Sequence, residues 1–412
     1  MTPGRTGSLP SIALVVPYLR SGGGIEATAR FLSQAIEESG RYRAQVISLA
    51  CSADDDCSVR VRAPSTWLRG VRVGSLAWHG RQVPHVGCFL AELEFQRYRP
   101  RRALTEMLDR HDLTQIVAGS PSWGLVARKS KRPVALQTAA LAREERRLAQ
   151  ARSGGALGLW RSVMTRFTDR LDAAAVQRAD AVFVINRRMQ EWARRQVSSD
   201  SVVLAPQGID TELFCPAKSS SLPGYLLSVG RFADPRKNVR LLFEAYRIVT
   251  VEVPDAPCLL LAGRSGPTDQ DWRHAEELGI RSRVTFREGL GLGELARLYR
   301  EAGLFVLTSD QEGLGIVIRE AMASGLPVVS TDCVGPRTSV SDGATGFLVP
   351  NGDAAALADR IRTLISDTEL AGRMGSAGRK AAVYNFSLEV AGRRYLERYD
   401  LLLAEREPRV TS

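Results

Sequence analysis

Ile12-Ala13-Leu14-Val15-Val16 is a short apolar run rich in β-branched residues, and the glycines Gly22-Gly23-Gly24 follow it closely. Such a pair reads as a strand and then a tight loop. From Ile25 the apolar residues recur at helical spacing (Ile25, Ala29, Leu32, Ile36) as far as Gly40, and Ala44-Gln45-Val46-Ile47-Ser48-Leu49 then reads as a second strand. A strand, helix, strand succession is a βαβ unit, whose two strands lie parallel. The fold class is therefore α/β.

Outward from this unit the same rhythm continues, with strands expected at Gln115 to Ala118, Val134 to Gln137, Ala181 to Ile185 and Val202 to Leu204. The stretch from Ser52 to Arg102 is hard to read, apart from a helical pattern over Phe89 to Tyr98. The rhythm restarts at Tyr225-Leu226-Leu227-Ser228-Val229 and runs through a helix at Val239 to Val251, strands at Cys258 to Ala262 and Arg283 to Phe286, and a helix at Gly293 to Ala302. A strand at Leu304 to Leu307, a helix around Ile316 to Ser324 and a strand at Pro327 to Ser330 lead into a turn-rich stretch ending at Pro350. A chain of 412 residues exceeds the size of a single core. Ser198-Ser199-Asp200-Ser201 and Pro206-Gln207-Gly208 punctuate its middle, and a second polar break spans Ala217 to Gly224. The expected domains are residues 1–203 and 204–385, with a C-terminal helix over 386–412 packing back toward the first. Open α/β sheets bind ligands beyond the carboxyl ends of their strands, so two such domains facing one another make a cleft suited to group transfer. Fold alone does not say which group.

Composition narrows the class. A content of 44% hydrophobic and 25% charged residues is that of a globular protein. The apolar run at Ile12 to Val16 is too short for a signal-peptide core or a membrane span, so a cytoplasmic protein is expected. Cys51, Cys57, Cys88, Cys215, Cys258 and Cys333 form no C-x-x-C pair, which argues against a disulfide framework and a zinc site. Residues 1–203 carry 31 Lys+Arg against 18 Asp+Glu, whereas 204–412 carry 25 against 27. The net charge of +11 thus belongs to the first half, with basic clusters at Arg97 to Arg102, Arg128 to Arg132 and Arg143 to Arg147. A polar or anionic acceptor docking there fits this asymmetry. Interleaved aromatics are sparse, so no nucleic acid is expected. Asp54-Asp55-Asp56 reads as a surface loop, and His79, His85, His111 and His274 read as surface or packing residues.

Three motifs carry chemistry. The Gly22-Gly23-Gly24 loop lies between a strand and a helix N-terminus, where glycine permits close backbone approach and the first helical N–H groups attract an anion. Val229-Gly230-Arg231-Phe232-Ala233-Asp234-Pro235-Arg236-Lys237-Asn238 again follows a strand and precedes a helix, and its cations could neutralise a diphosphate. In Ser309-Asp310-Gln311-Glu312-Gly313-Leu314-Gly315-Ile316 and onward to Glu320, two glutamates stand eight positions apart across a glycine-rich loop and a helix start. Gly313 and Gly315 place backbone N–H groups at that helix N-terminus, a site for phosphate or a sugar hydroxyl.

Taken in order, these motifs resemble the retaining glycosyltransferases of the GT-B fold, specifically family four, the glycosyl transferases group one type. The resemblance also covers Ala205 to Phe214, Leu261-Ala262-Gly263 and Val340 to Val349, and is looser over the first half, through Gly22 to Gly24 and Ala179-Asp180-Ala181-Val182 leading to Asn186. It implies two facing Rossmann-like domains with a deep interdomain cleft. It implies that Arg231 and Lys237 hold the distal phosphate of the leaving nucleotide, that Glu312 contacts donor-sugar hydroxyls, and that Glu320 binds the ribose. Gly23, Gly24 and the backbone over Gly313, Leu314 and Gly315 would touch sugar or phosphate. No cofactor is implied beyond a UDP- or GDP-sugar co-substrate, and no metal.

Three positions depart from the family pattern. A histidine usual after the strand at Pro133 to Gln137 is absent, since residues 137–143 read Gln-Thr-Ala-Ala-Leu-Ala-Arg. The usual interdomain asparagine is Gln207, and the acidic residue after Gly335-Pro336 is replaced near Thr338. Beside transfer to a glycan intermediate or small metabolite, two readings stay open: a transferase acting on a lipid acceptor at the inner membrane face, and a silent sugar-nucleotide-binding subunit.

Overall fold

The computed structural model describes residues 9–17, 19, 24–52, 54–143, 168–217 and 224–405. The chain divides into two compact units. One comprises the chain up to Pro206 together with Gly392 onward, and the other is Gln207–Ala391. The division falls three residues beyond the expected 203/204 boundary, at the Pro206-Gln207-Gly208 punctuation.

The first unit holds an eight-stranded sheet: β1 (Ser11–Pro17), β2 (Arg43–Leu49), β3 (Val73–Trp78), β4 (Arg81–Val86), β5 (Leu113–Ala118), β6 (Val134–Thr138), β7 (Ala181–Val184) and β8 (Val202–Leu204), in the order β3-β4-β2-β1-β5-β6-β7-β8. Helix α1 (Gly24–Glu38) crosses from β1 to β2, which pair in parallel with Ile12 opposite Ala44. Ile12 to Val16 are fully buried, as a strand covered by helices on both faces must be. Each such Val, Leu or Ile contributes roughly 1.5–3 kcal/mol of transfer energy. β3 is the one antiparallel member, joined to β4 by a two-residue turn at His79 and Gly80, both with positive φ. This is the geometry that matches strand twist in a tight hairpin. The C-terminal helix Leu388–Ala404 returns to this sheet: Tyr395 stacks on Phe183 at 4.3 Å and donates to Ala205 O at 2.8 Å, and Tyr399 donates to Gln115 Oε1 at 2.8 Å.

Two expectations for this unit need correction. Only Glu94–Arg97 is helical in the stretch Phe89 to Tyr98, because Phe89 is drawn into a bridge with Val59 and Leu90 takes a positive φ. Asp54 and Asp56 stand exposed on a loop as expected, but Asp55 between them turns inward. Its carboxylate is buried, accepting from Cys57 N and Ser58 Oγ, and lies 2.6 Å from His85 Nε2, while His85 Nδ1 lies 2.9 Å from Ser48 Oγ. A buried carboxylate persists only when so partnered.

The second unit holds six parallel strands: β9 (Leu226–Arg231), β10 (Leu259–Ser265), β11 (Val284–Glu288), β12 (Leu304–Leu307), β13 (Val328–Thr331) and β14 (Gly346–Val349), in the order β11-β10-β9-β12-β13-β14. Within the unit that order runs third, second, first, fourth, fifth, sixth, the doubly wound arrangement. Its core gathers Leu226, Leu261, Val306 and Val329 against Leu242 and Tyr246 of α2 (Val239–Glu252). β14 was not expected; it emerges from the turn-rich stretch because Gly346 lets the chain approach Val328 O so closely that a Cβ would lie 2.3 Å from it. Among the described residues, no helix is long and apolar enough to cross a membrane.

Candidate active site

In the second unit the strand order reverses between β9 and β12, and the loops leaving the carboxyl ends of these two strands carry Lys237 and Glu312. A doubly wound sheet opens its ligand crevice at such a reversal. Local chemistry shapes the first loop. Asp234 accepts from Arg236 N and starts a short turn, and Asn238 ends it in the left-handed region (φ 44°) while capping α2 through its Oδ1 and Leu241 N. Asparagine is among the few side chains that tolerate this conformation.

The two loops are stitched together. Asp310 N donates to Arg236 O at 2.8 Å, Thr308 Oγ1 to Lys237 O at 3.1 Å, and Asn238 Nδ2 to Asp310 Oδ1 at 3.0 Å. Lys237 Nζ then reaches Glu312 Oε2 at 2.5 Å, with the two side chains 15% and 18% exposed. The Lys237 stem lies over Gly230, and Gly263 sits so close to Gly230 O that no side chain fits there. Glu312 is held from behind: Gly335 N donates to its carbonyl at 2.9 Å, and a Cβ at Gly335 would come within 2.9 Å of Glu312 Cγ. Gly335 is a site residue that sequence reading missed.

Arg231 is not drawn into this pair. It is 62% exposed, with Asp234 Oδ2 at 3.5 Å. Burial raises the Asp234 carboxyl, but hydrogen bonds from Arg236 and the charges of Arg236 and Arg231 outweigh it and hold the group below the usual carboxylate range. Arg236 is thus engaged by Asp234, while Arg231 extends from the end of β9.

Gly315 (φ 69°) caps α4 (Ile316–Ala323), which follows α3 (Leu292–Glu301) and β12 in the chain, and Leu314 is buried just before it. Glu320 lies one turn inside α4. Its Oε2 accepts from Tyr299 OH of α3 at 2.9 Å. Tyr299 is fully enclosed, and burial first, then the Glu320 carboxylate, push its phenol well above the ordinary value. It remains a donor that aims Glu320. The adjacent Arg319, 1% exposed, ties Ser339 Oγ, Gln207 O and the Phe386 ring together and anchors α4. Burial, then the charge of Glu312, push the Cys333 thiol up to about 11, so it stays protonated near neutral pH.

Of the remaining expected site residues, Gly24 opens α1 in the first unit, and a Cβ there would meet nothing within 4 Å. Gly23 and the part of the basic cluster beyond Arg143 lie outside the described residues. Where the family histidine is absent, Ala139 N and Ala140 N both donate to Gly119 O. Asn186 caps the helix Arg187–Arg194 through Met189 N. Gln207, at the second departure, supplies the carbonyl that Arg319 grips.

Residues 216–381 match the family model described as Glycosyl transferases group 1. The chain is 32% identical over 250 residues to a GDP-mannose-dependent alpha-(1-6)-phosphatidylinositol monomannoside mannosyltransferase of Mycolicibacterium smegmatis, covering 56% of this chain and 64% of that protein. It is 33% identical over 193 residues to a D-inositol 3-phosphate glycosyltransferase of Corynebacterium glutamicum, covering 43% and 46%. The chain thus spans about half to two thirds of the length of these curated relatives. Among solved structures, sucrose-phosphate synthase from Thermosynechococcus elongatus superposes with a TM-score of 0.72 at 23% identity, covering 96% of this chain and 100% of that one. Anabaena HepE in complex with UDP and glucose superposes with a TM-score of 0.69 at 18% identity, covering 95% and 100%. The fold is that of the GT-B glycosyltransferases.

Proposed function

We propose that this chain, a GT-B glycosyltransferase with a Glycosyl transferases group 1 domain over residues 216–381, moves a hexose-type sugar from a UDP- or GDP-sugar to an acceptor hydroxyl with retention at the anomeric carbon. The observation that carries this reading is the Lys237–Glu312 pair at the carboxyl ends of β9 and β12. It joins a cation and a carboxylate where a sugar diphosphate needs both.

In the proposed step the acceptor oxygen bonds to the anomeric carbon from the face that the nucleotide leaves. The carbon–oxygen bond to the diphosphate breaks, and its electron pair goes to the departing phosphate. The acceptor proton passes to a phosphate oxygen, so no protein base is required. Lys237, with Arg231 extending nearby, offsets the charge that grows on the phosphate, the kind of stabilisation that acts on the transition state. Glu312 accepts from donor-sugar hydroxyls, and Glu320, aimed by Tyr299, accepts from the ribose. Gly313, Leu314 and Gly315 present backbone to the donor.

Two measurements test it. In a thermal-shift panel of nucleotides and nucleotide sugars, the right donor at about 100 times its Kd stabilises by about 2.7 kcal/mol. NMR of the product with that donor then gives the anomeric configuration, and inversion refutes retention. A lipid acceptor is a second reading, favoured by Trp67 and Leu68, which stand exposed on the first unit, and by the lipid named in the Mycolicibacterium relative.

A further inference from the structure

The first unit holds a pocket of about 520 Å³ whose wall includes Phe89, Arg99, Arg101, Arg102, Arg128 and Lys129. Its single carboxylate, Glu106, is already bound by Arg102 Nε at 2.8 Å. Arg99, Arg128 and Lys129 are exposed, and among the described residues none of them forms an ion pair.

Arg101 is different in kind. It is 6% exposed, and its guanidinium donates only to backbone: NH1 to Val86 O at 2.6 Å, NH2 to Ala50 O at 3.2 Å and to Arg97 O at 3.1 Å. Val86 ends β4 and Ala50 follows β2, so the group is fastened across two strand ends. Its Nε is buried and meets no acceptor, and among the described residues no carboxylate forms an ion pair with it, although the charge of Asp55, itself engaged by His85, acts on it from further away. A buried cation without a paired counter-ion is costly, and burial pulls this guanidinium down from its ordinary value. Three further unpaired cations around one wall, Arg99, Arg128 and Lys129, add mutual repulsion. A fold keeps such an arrangement where a ligand supplies the missing negative charge, and planar guanidinium forks suit phosphate oxygens.

We infer that this pocket binds the phosphate group of the acceptor, a phosphate ester seated among Arg99, Arg101, Arg102, Arg128 and Lys129 with its organic part toward Phe89. This rests on the reading of the chain as a transferase and deepens it by giving the first unit an acceptor of stated chemistry. The pocket is lined by residues of the first unit alone, and the donor residues belong to the second.

The test uses the full chain with UDP and GDP both saturating, so that the donor site is filled, and inorganic pyrophosphate as the probe in calorimetry at fixed ionic strength. The triple variant Arg99→Ala/Arg128→Ala/Lys129→Ala is expected to bind pyrophosphate at least about ten-fold more weakly than the parent. Arg43→Ala/Arg187→Ala/Arg195→Ala, which removes equal charge from exposed positions of the same unit, should bind as the parent does. Equal affinity in parent and pocket variant, or equal loss in both variants, overturns the proposal. Sedimentation with phosphatidate vesicles identifies the source: co-sedimentation lost only in the pocket variant supports a lipid phosphate, and a parent that stays in the supernatant while binding pyrophosphate supports a water-soluble ester. Nucleotide binding by the parent and the pocket variant is measured alongside. Its absence in the parent refutes the donor-site reading, and its presence in both, with pyrophosphate binding unaltered by the substitutions, refutes the pocket alone.

Discussion

Replacing Lys237 by methionine removes the cation from a contact of 2.5 Å between two side chains that are 15% and 18% exposed. At an effective dielectric of about 20, the gross attraction at that distance is about 7 kcal/mol, and desolvation and side-chain ordering offset most of it. A hydrogen bond between charged groups nets about 1.5–3 kcal/mol, so the free protein should lose about that much stability. For a unit of this size the thermal midpoint should fall by about 3–12 °C. The catalytic loss is expected to be larger, because Lys237 is assigned to charge that appears only as the diphosphate departs. Removal of one such donor costs about 10²–10³ in kcat. Binding of the bare nucleoside should change little. Turnover measured by nucleoside diphosphate release, calorimetry with nucleoside and diphosphate, and a thermal scan together separate these effects. A kcat within about three-fold of the parent would refute the phosphate assignment; a lowered midpoint with normal kcat would leave Lys237 as a structural partner of Glu312 only.

Glu320→Gln should weaken nucleotide and nucleotide sugar alike by about 1.5–3 kcal/mol, roughly 10- to 150-fold, whereas Glu312→Gln should leave diphosphate affinity nearly unchanged while transfer falls. Calorimetry on both variants reads this crossed pattern, and equal diphosphate losses would show the ribose and sugar misplaced. Tyr299→Phe removes the donor that aims Glu320, so nucleotide affinity should drop by about 2- to 12-fold, with no further drop when it is combined with Glu320→Gln. Asp172 is fully buried, and burial raises its carboxyl from 3.8 to about 6 against the opposing hydrogen bonds of Ser122 and Ala142. A carboxyl raised in the folded chain gives stability that is present below about pH 4 and lost as pH rises through about 6, at about 1.4 kcal/mol for each pH step between those two values. Urea midpoints of Asp172→Asn against the parent should therefore move in the variant's favour by about 2–3 kcal/mol between about pH 4 and 7, and parallel profiles would show that Asp172 is not the group responsible.

Both sheets were legible wherever a strand is buried on both faces. Ile12 to Val16, Leu226 to Val229 and Leu304 to Leu307 are unbroken or nearly unbroken apolar runs, and between them α1, α2 and α4 follow helical spacing. β3 was hidden because its residues alternate between exposed and half-buried, and because His79-Gly80 is an unusual pair for a tight hairpin turn. β14 was hidden because it is four residues long and relies on a backbone approach at Gly346 that no side-chain pattern announces. In the site, the spacing of Arg231, Lys237, Glu312 and Glu320 was visible as motif, but their pairing was not. That Lys237 closes on Glu312 and that Tyr299 aims Glu320 depends on contacts between segments tens of residues apart, and the engagement of Arg236 by Asp234 depends on the shape of the turn between them.

The two units treat positive charge in opposite ways. In the second, Lys237 has Glu312, Arg236 has Asp234, Arg240 has Asp271 and Arg337 has Asp332, while Arg231 shares Asp234 at 3.5 Å, so all but one of these charges are balanced. On the proposed reading a diphosphate competes with Glu312 for Lys237, a contact that keeps the cation oriented in the free protein. In the pocket of the first unit, Arg99, Arg101, Arg128 and Lys129 have no such carboxylate among the described residues, and Arg101 is fixed by backbone carbonyls alone. Part of the charge imbalance between the halves of the sequence is thus gathered in this pocket, beside exposed arginines such as Arg43, Arg187 and Arg195 elsewhere on the unit. On the proposed reading the donor is held by exchange of partners and the acceptor is drawn by unbalanced charge, so raising salt should lower acceptor affinity more steeply than donor affinity. Measuring the two apparent KM values between about 50 and about 300 mM salt, over which the screening length shortens by more than half, tests this directly: equal slopes would mean that the exposed arginines take no part in acceptor capture.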